Sequence, residues 1–378
     1  MNTIGVGYST EHDALKAGRV STENAIHELG GKPSLFVVFA ASGYDLSSLI
    51  QGIKSVSKKT PVIGSSMGGC LHSKGYYAGD GVCVGAIKAK DVYTFYREGI
   101  SKGGSPGKDI GDDLWTKVKD RKGNPLLFLL FDGNSPGITN TLRDIYRTID
   151  TTCNYFGGGA GSNVDNIDAY QFTDTTIMQD ACVGALCFFE KKYSTGVAHG
   201  FKPMSSPMLV TKTKGNLITE LDWQSPLKVY KEIIGEDKPC SILGLNYPLG
   251  IMRMRGDRLI RDPIKEDGDY IQLFCGIEEN TVVQIMKGSK KDILDAERSA
   301  IKKALSEIKG KAGGGIIFSC ISRYALLKDK YGEEMKIIKE LIGDVPFFGC
   351  MSFGEVGILD LGMPMFHNKT FSCLLFEK

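Results

Sequence analysis

The chain has 378 residues, 42% of them hydrophobic and 24% charged, which is enough apolar material for a sizeable core and, at roughly 150 residues per domain, points to two domains. Lys+Arg at 46 against Asp+Glu at 44 leave a net charge of +2, and no basic run exceeds two residues, so neither nucleic acid nor an anionic lipid surface is an expected partner. Apolar runs such as Leu126–Phe131 reach about a third of a membrane span, and Met1–Tyr8 has no leader character, so a cytoplasmic protein is expected.

Along the chain, His12 and His27 fall on a polar, helix-like N-terminal segment. Ser34–Phe39 reads as a strand. Leu46, Leu49, Ile50, Ile53 and Val56 then share one helical face, Pro61–Gly69 reads as a strand running into a glycine-rich loop, and Gly81–Ile87 as a further strand. The same order returns from Pro125–Phe131 through Leu142, Ile145 and Ile149 to Tyr155–Ser162 and Ala181–Phe188. It returns again from Gly315–Cys320 through Met335, Ile338, Leu341 and Ile342 to Pro346–Glu355 and Phe371–Phe376. A unit of strand, helix, strand with glycine loop, and strand is therefore used three times. Each strand-helix-strand part predicts a right-handed parallel crossover, so the fold class is α/β, with α+β the alternative, built on mixed sheets. Between the second and third units, strand-like runs at Ser241–Leu245 and Tyr270–Gly276 and an amphipathic helix through Ile293, Ala300, Ile301, Ala304, Leu305 and Ile308 suggest a degenerate fourth unit. A helix opens at Ser225, with Pro226 in its first turn. The Pro/Ser stretch Pro203–Pro207 sets the domain boundary, giving domains 1–205 and 206–378.

The ten cysteines sit singly, mostly in apolar runs, and no C-x-x-C occurs, so free thiols and no structural metal are expected. The glycine loops leave the carboxyl side of their strands, where α/β sheets collect ligands. Backbone N–H groups there, with Ser66, Gly68, Gly158, Gly159, Ser162, Asn163 and Ser352, could cradle a small polar molecule; tight turns at positive φ explain any single loop better, and it is three such loops in register that point to a pocket. Ser319 and Arg323 lie at the end of one strand and Glu355 follows its neighbour. Arg323 suits a carboxylate and Glu355 an ammonium, which together describe a zwitterion; a plain Arg323–Glu355 ion pair is the alternative. Gly64-Ser65-Ser66-Met67-Gly68 matches G-x-S-x-G, which admits a serine esterase using Ser66, but no helix follows it as a nucleophile elbow requires. Of the five histidines, His199 has apolar neighbours on both sides and is the candidate axial ligand if haem binds. No P-loop pattern is present.

Asp13-Ala14-Leu15-Lys16-Ala17-Gly18, the Gly64–Gly69 loop and Val183-Gly184-Ala185 resemble the N-terminal FIST domain. Val210-Thr211, Gly215-Asn216, Glu220-Leu221-Asp222, Ser225-Pro226-Leu227, Phe318-Ser319-Cys320 with Arg323, and Gly349 with Gly354-Glu355 resemble the C-terminal FIST domain. The resemblance implies a small-ligand sensory module of signal transduction rather than an enzyme, with an amino acid or related small carboxylate as ligand. Some members bind haem and report nitric oxide, which is the alternative. Without a transmitter, methyl-accepting or F-box segment in this sequence, output is expected through a separate partner such as a histidine kinase or chemoreceptor.

Overall fold

The computed structural model describes residues 2–123, 125–162, 168–253, 256–359 and 362–378. The chain is of α/β class with mixed sheets. The first unit comprises β1 (Ile4–Ser9), α1 (Ala14–Leu29), β2 (Leu35–Ala41), α2 (Leu46–Val56), β3 (Val62–Met67), β4 (Gly69–His72), β5 (Gly75–Ala78) and β6 (Val82–Ile87). The second comprises β7 (Asp91–Glu98), α3 (Pro106–Val118), β8 (Pro125–Asp132), α4 (Ile138–Ile149), β9 (Asn154–Ala160), β10 (Gln171–Thr173), β11 (Ile177–Met178) and β12 (Ala181–Phe188). The third starts at β13 (Tyr193–Ala198) and is interrupted by an insertion. The insertion holds β14 (Lys202–Pro203), β15 (Met208–Lys214), β16 (Leu217–Leu221), α5 (Pro226–Ile234), α6 (Cys240–Asn246), β17 (Leu249–Met252), β18 (Arg258–Arg261), β19 (Pro263–Asp267), β20 (Tyr270–Leu273) and β21 (Thr281–Lys287). The unit resumes with α7 (Lys290–Glu307), β22 (Ala312–Cys320), α8 (Ile321–Leu327), α9 (Gly332–Ile342), β23 (Phe347–Ser352), β24 (Glu355–Gly357), β25 (Met365–His367) and β26 (Phe371–Glu377).

The three units are equivalent in pairing as well as in order. β2 and β3, β8 and β9, and β22 and β23 are parallel neighbours; β6, β12 and β26 run antiparallel to the first of each pair; β1, β7 and β13 close each set. The hairpin after each glycine loop leaves its own unit. β4–β5 joins β23, β10–β11 joins β3, and β24–β25 joins β9, so the three sheets exchange hairpins in a cycle. At the centre the loops close a ring: Gly68 N–H donates to Met351 O (3.0 Å), Gly161 N–H to Ser66 O (3.2 Å) and Phe353 N–H to Gly159 O (2.9 Å). The register makes the three donors equivalent positions, and likewise the three acceptors. In the core, Phe39, Phe128 and Phe156 pack around Phe318 and Phe348 stacks on Phe39, one buried cluster with members from all three sheets. The helices lie on the outer faces, where helix residues such as Leu29 and Ile53 bury against Phe36 and Val38 of β2.

The expected fourth unit is absent among the described residues. Ser241–Leu245 lies in helix α6, Tyr270–Leu273 is an edge-proximal strand of the insertion's own sheet, and α7 is the third unit's counterpart of α1 and α3. The boundary expected at 205/206 falls where the chain enters this sheet, while β4–β5 and β24–β25 tie the two halves into shared sheets. α5 begins as the sequence predicts, with Ser225 Oγ accepting from Lys228 N–H and Pro226 in the first turn. Val210, Leu221, Tyr230, Leu243, Ile271 and Ile285 form the insertion's own core. No helix among the described residues is long and apolar enough to cross a membrane, and all ten cysteines are free and buried.

Candidate functional site

A cavity of about 590 Å³ lies where the insertion meets the body, a volume suited to a small molecule. Asp262, Gln272 and Phe274 line it from the insertion. Cys320, Ser322, Phe353, Gly354, Asn368 and Lys369 line it from the carboxyl ends of the third unit's strands and from the turn before β26. Lys369 is fully buried and adopts a left-handed φ of 60°, which turns its side chain into this joint. Its ammonium stands 2.8 Å from Asp262 Oδ2 and has no other acceptor in reach. Ser322 Oγ donates to the same carboxylate oxygen (3.2 Å). Burial holds the Asp262 carboxyl above its usual range, opposed by Lys369 and Ser322. Asn368, 2% exposed, donates to His367 O (3.2 Å), while its Oδ1 has no partner.

Behind the cavity, Glu355 is buried and accepts from Ser352 Oγ (2.6 Å), Thr370 Oγ1 (2.5 Å) and Thr370 N–H (3.2 Å), which fixes the turn carrying Asn368 and Lys369. Burial pushes its carboxyl up to about 7 against these hydrogen bonds. A carboxyl raised in the folded state stabilises the fold fully below its unfolded value and loses that contribution as pH climbs to about 7. The stability of Glu355→Gln relative to the native chain is therefore expected to rise by about 3 kcal/mol between pH 4.5 and 7, measured by urea unfolding. A difference that stays flat over that range contradicts the raised carboxyl.

The residues singled out from sequence occupy other places. Ser66, Gly68, Gly158 and Gly159 belong to the central ring or pack beside it; a Cβ on Gly158 would meet the Phe318 ring at 2.7 Å. Their glycines, none of them at positive φ, serve close backbone and ring approach rather than the tight turns of the plainer sequence reading. Ser66 is 1% exposed inside continuous strand, and its Oγ accepts from Tyr170 N–H (2.9 Å), so it forms no nucleophile elbow. Asn163 lies outside the described residues. Ser319 Oγ donates to Glu334 Oε2 (3.0 Å). Arg323 lies away from the cavity: Nε donates to Glu334 Oε1 (2.7 Å), Nη2 to Ile293 O (3.2 Å) and also pairs with Glu334, with Glu297 at 3.8 Å. Arg323 and Glu355, expected to share a zwitterion, are turned to different partners: Arg323 to Glu334 and Ile293 O, with its Nη1 left without a hydrogen bond among the described residues, and Glu355 to Ser352 and Thr370. His199 Nδ1 accepts from Phe201 N–H (2.9 Å) and the ring also hydrogen-bonds the Arg258 backbone. Burial lowers its pKa to about 4.

The cavity lining and the residues singled out from sequence are chain neighbours: Cys320 stands beside Ser319, Ser322 beside Arg323 and Gly354 beside Glu355. The signal for Asn368 and Lys369 was a polar His367-Asn368-Lys369-Thr370 block between two apolar strands.

The chain is 25% identical over 393 residues to the uncharacterized protein Rv0628c of Mycobacterium tuberculosis, covering 99% of each. It is 26% identical over 391 residues to the uncharacterized protein MJ1623 of Methanocaldococcus jannaschii, covering 92% of this chain and 74% of that one. Among solved structures, that of PurLQS from Thermotoga maritima aligns at a TM-score of 0.24 and 10% identity over 99% of this chain and 72% of that one, too slight a likeness to carry an argument. The FIST N domain matches residues 34–224 and the FIST C domain residues 226–358. FIST domains are sensory domains implicated in small-ligand binding in signalling. The matched segments span most of the chain, and the protein belongs to the FIST family.

Proposed function

We propose that this protein senses a small carboxylate bearing a neighbouring amine or hydroxyl, an amino acid or hydroxy acid, in the cavity between insertion and body. One observation carries the reading: a fully buried ammonium with a single ion-pair partner and a buried amide oxygen with none both line that cavity. Buried polar groups are ordinarily satisfied, so the pair describes the ligand that completes it. Lys369 takes a carboxylate oxygen and Asn368 Oδ1 accepts from the ligand's N–H or O–H. The apolar walls, Phe274 and Phe353 among them, exclude water and strengthen both contacts. Because the walls come from both insertion and body, occupancy bears on how the two are held together, which suits a module that reports through a separate signalling protein.

The reading is tested by a thermal-shift screen with glycine, alanine, lactate, pyruvate and acetate, followed by calorimetry of the best binder. A charge-assisted contact contributes roughly 1.5–3 kcal/mol, so Lys369→Met is expected to weaken binding about 10- to 100-fold. Asn368→Leu is expected to weaken lactate and alanine more than acetate, which has no donor. Equal dissociation constants for native protein and Lys369→Met overturn the assignment.

A further inference from the structure

The three units differ in what they place at the carboxyl end of the first core strand. In the second unit the residue is Asp132, whose carboxylate accepts from Asn134 N–H (3.0 Å) and Asp180 N–H (2.8 Å). In the third it is Cys320, whose sulfur accepts from the backbone N–H groups of Ser322 and Lys369. The register makes these donors equivalent. Phe131 pairs with Cys182 and Ser319 with Phe371, so Asp132 corresponds to Cys320, Asn134 to Ser322 and Asp180 to Lys369. Asp180 and Lys369 share a left-handed backbone, at φ 48° and 60°. The same pair of N–H groups therefore holds a carboxylate in one unit and a thiol in the other. Two convergent N–H groups favour the anionic form of whatever they hold.

Cys320 differs from the other cysteines in place, although at 4% exposure it is no more open to bulk solvent than Cys153 (4%) or Cys275 (5%). It lines the cavity at the insertion, and the other nine do not. Lys369 and the unpartnered Asn368 Oδ1, both more than nine-tenths buried, line the same space.

We infer that Cys320 is a covalent modification site, open to a small carbon electrophile with a carbonyl group beside its reacting carbon. In the step, a bond forms between Sγ and that carbon as the bond to the leaving group breaks. The leaving group departs with the bonding pair and the thiol proton passes to solvent, so no oxidant or reductant is needed. The two N–H groups hold the sulfur's charge as it develops, and Lys369 faces the electrophile's carbonyl or carboxylate oxygen. A group attached there occupies the cavity, so modification and ligand binding exclude each other. The cavity is the one in the proposed function, but the thiol's reactivity does not depend on the ligand being a carboxylate.

Burial, reinforced by the Glu355 carboxyl, pushes the thiol up to about 12, so labelling is slow at neutral pH and accelerates about tenfold per pH unit below that value. The test treats the folded full-length protein at pH 9 with limiting iodoacetamide or iodoacetate and maps the alkylated peptides by mass spectrometry. Cys320 is expected to be carbamidomethylated at least about tenfold faster than any of the other nine cysteines, with the adduct absent in Cys320→Ser. The iodoacetate-to-iodoacetamide rate ratio at Cys320 is expected to exceed that at free glutathione and to fall about tenfold in Lys369→Met, as loss of one charge-assisted contact requires. Labelling of Cys320 by iodoacetamide with no preference for iodoacetate supports the modification site and counts against the carboxylate ligand. Cys320 modified no faster than the other cysteines, or only after denaturation, overturns the inference.

Discussion

Arg323→Ala is expected to lower the unfolding free energy by about 3–5 kcal/mol, seen as a shifted midpoint in guanidinium or urea, while leaving ligand affinity near that of the native protein. The guanidinium is fully buried between α7 and α9, hydrogen-bonded to Glu334 and to Ile293 O, with the Glu297 carboxylate 3.8 Å away and the Phe371 ring beneath it at 5.7 Å. Removing it leaves two buried carboxyls without their cation. Burial, with Glu334 beside it, already holds Glu297 well above the usual carboxylate range, so that group can be neutral, but Glu334 loses its cation and keeps only the Ser319 hydroxyl as a side-chain partner among the described residues. Glu334→Gln in the Arg323→Ala background should recover part of the loss, because the remaining charge is then gone. A variant that keeps full stability and loses binding would return Arg323 to the ligand site.

The second large effect concerns the central ring. Gly159→Ala places a methyl 2.2 Å from the Phe353 carbonyl oxygen, on backbone tied to Gly159 by the hydrogen bond that joins the units, and 2.9 Å from the buried Phe366 ring. Backbone must move in the ring where the three glycine loops meet. A loss of about 3 kcal/mol, at the upper end of overpacking penalties, is expected in thermal or chemical unfolding. Gly43→Ala, with open space around its Cβ position, is the control and should stay within about 0.5 kcal/mol of native. Comparable stability for the two variants would mean that the ring is not a keystone of the fold.

The repeat was legible because each unit spells its strands as nearly continuous apolar runs bounded by glycine, as buried strands do. The run Ser241–Leu245 misled for the reason that short apolar stretches do: five residues fit a strand or a helix turn, and here packing of α6 against β19, with Cys240 and Leu243 in the insertion core, selects the helix. The exchanged hairpins could not be read, since nothing local distinguishes a hairpin that returns to its own sheet from one that crosses to the next. The chemistry of the site was hidden by alternation and distance. Successive strand residues face opposite layers, so Ser319 points to Glu334 while Cys320 faces the cavity. Asp262 and Lys369 meet only because the insertion folds back on the body, where buried Arg261 donates to Phe366 O (3.0 Å) and Gly276 O (3.1 Å). Arg323 and Glu355 were reasonable as opposite charges near adjacent strand ends. Each found a partner inside the protein first, in a carboxylate from α9 and in the hydroxyls of Ser352 and Thr370.

The central claim, that the third unit and the insertion together form the ligand site, is tested most directly by a crystal structure with the carboxylate that gives the largest thermal shift. The expected result is a ligand in the cavity between Asp262 and Phe353, with its carboxylate within hydrogen-bond distance of Lys369 Nζ and its amine or hydroxyl donating to Asn368 Oδ1. A ligand bound instead at the central glycine ring or beside Arg323, with Lys369 still paired only to Asp262, would contradict it.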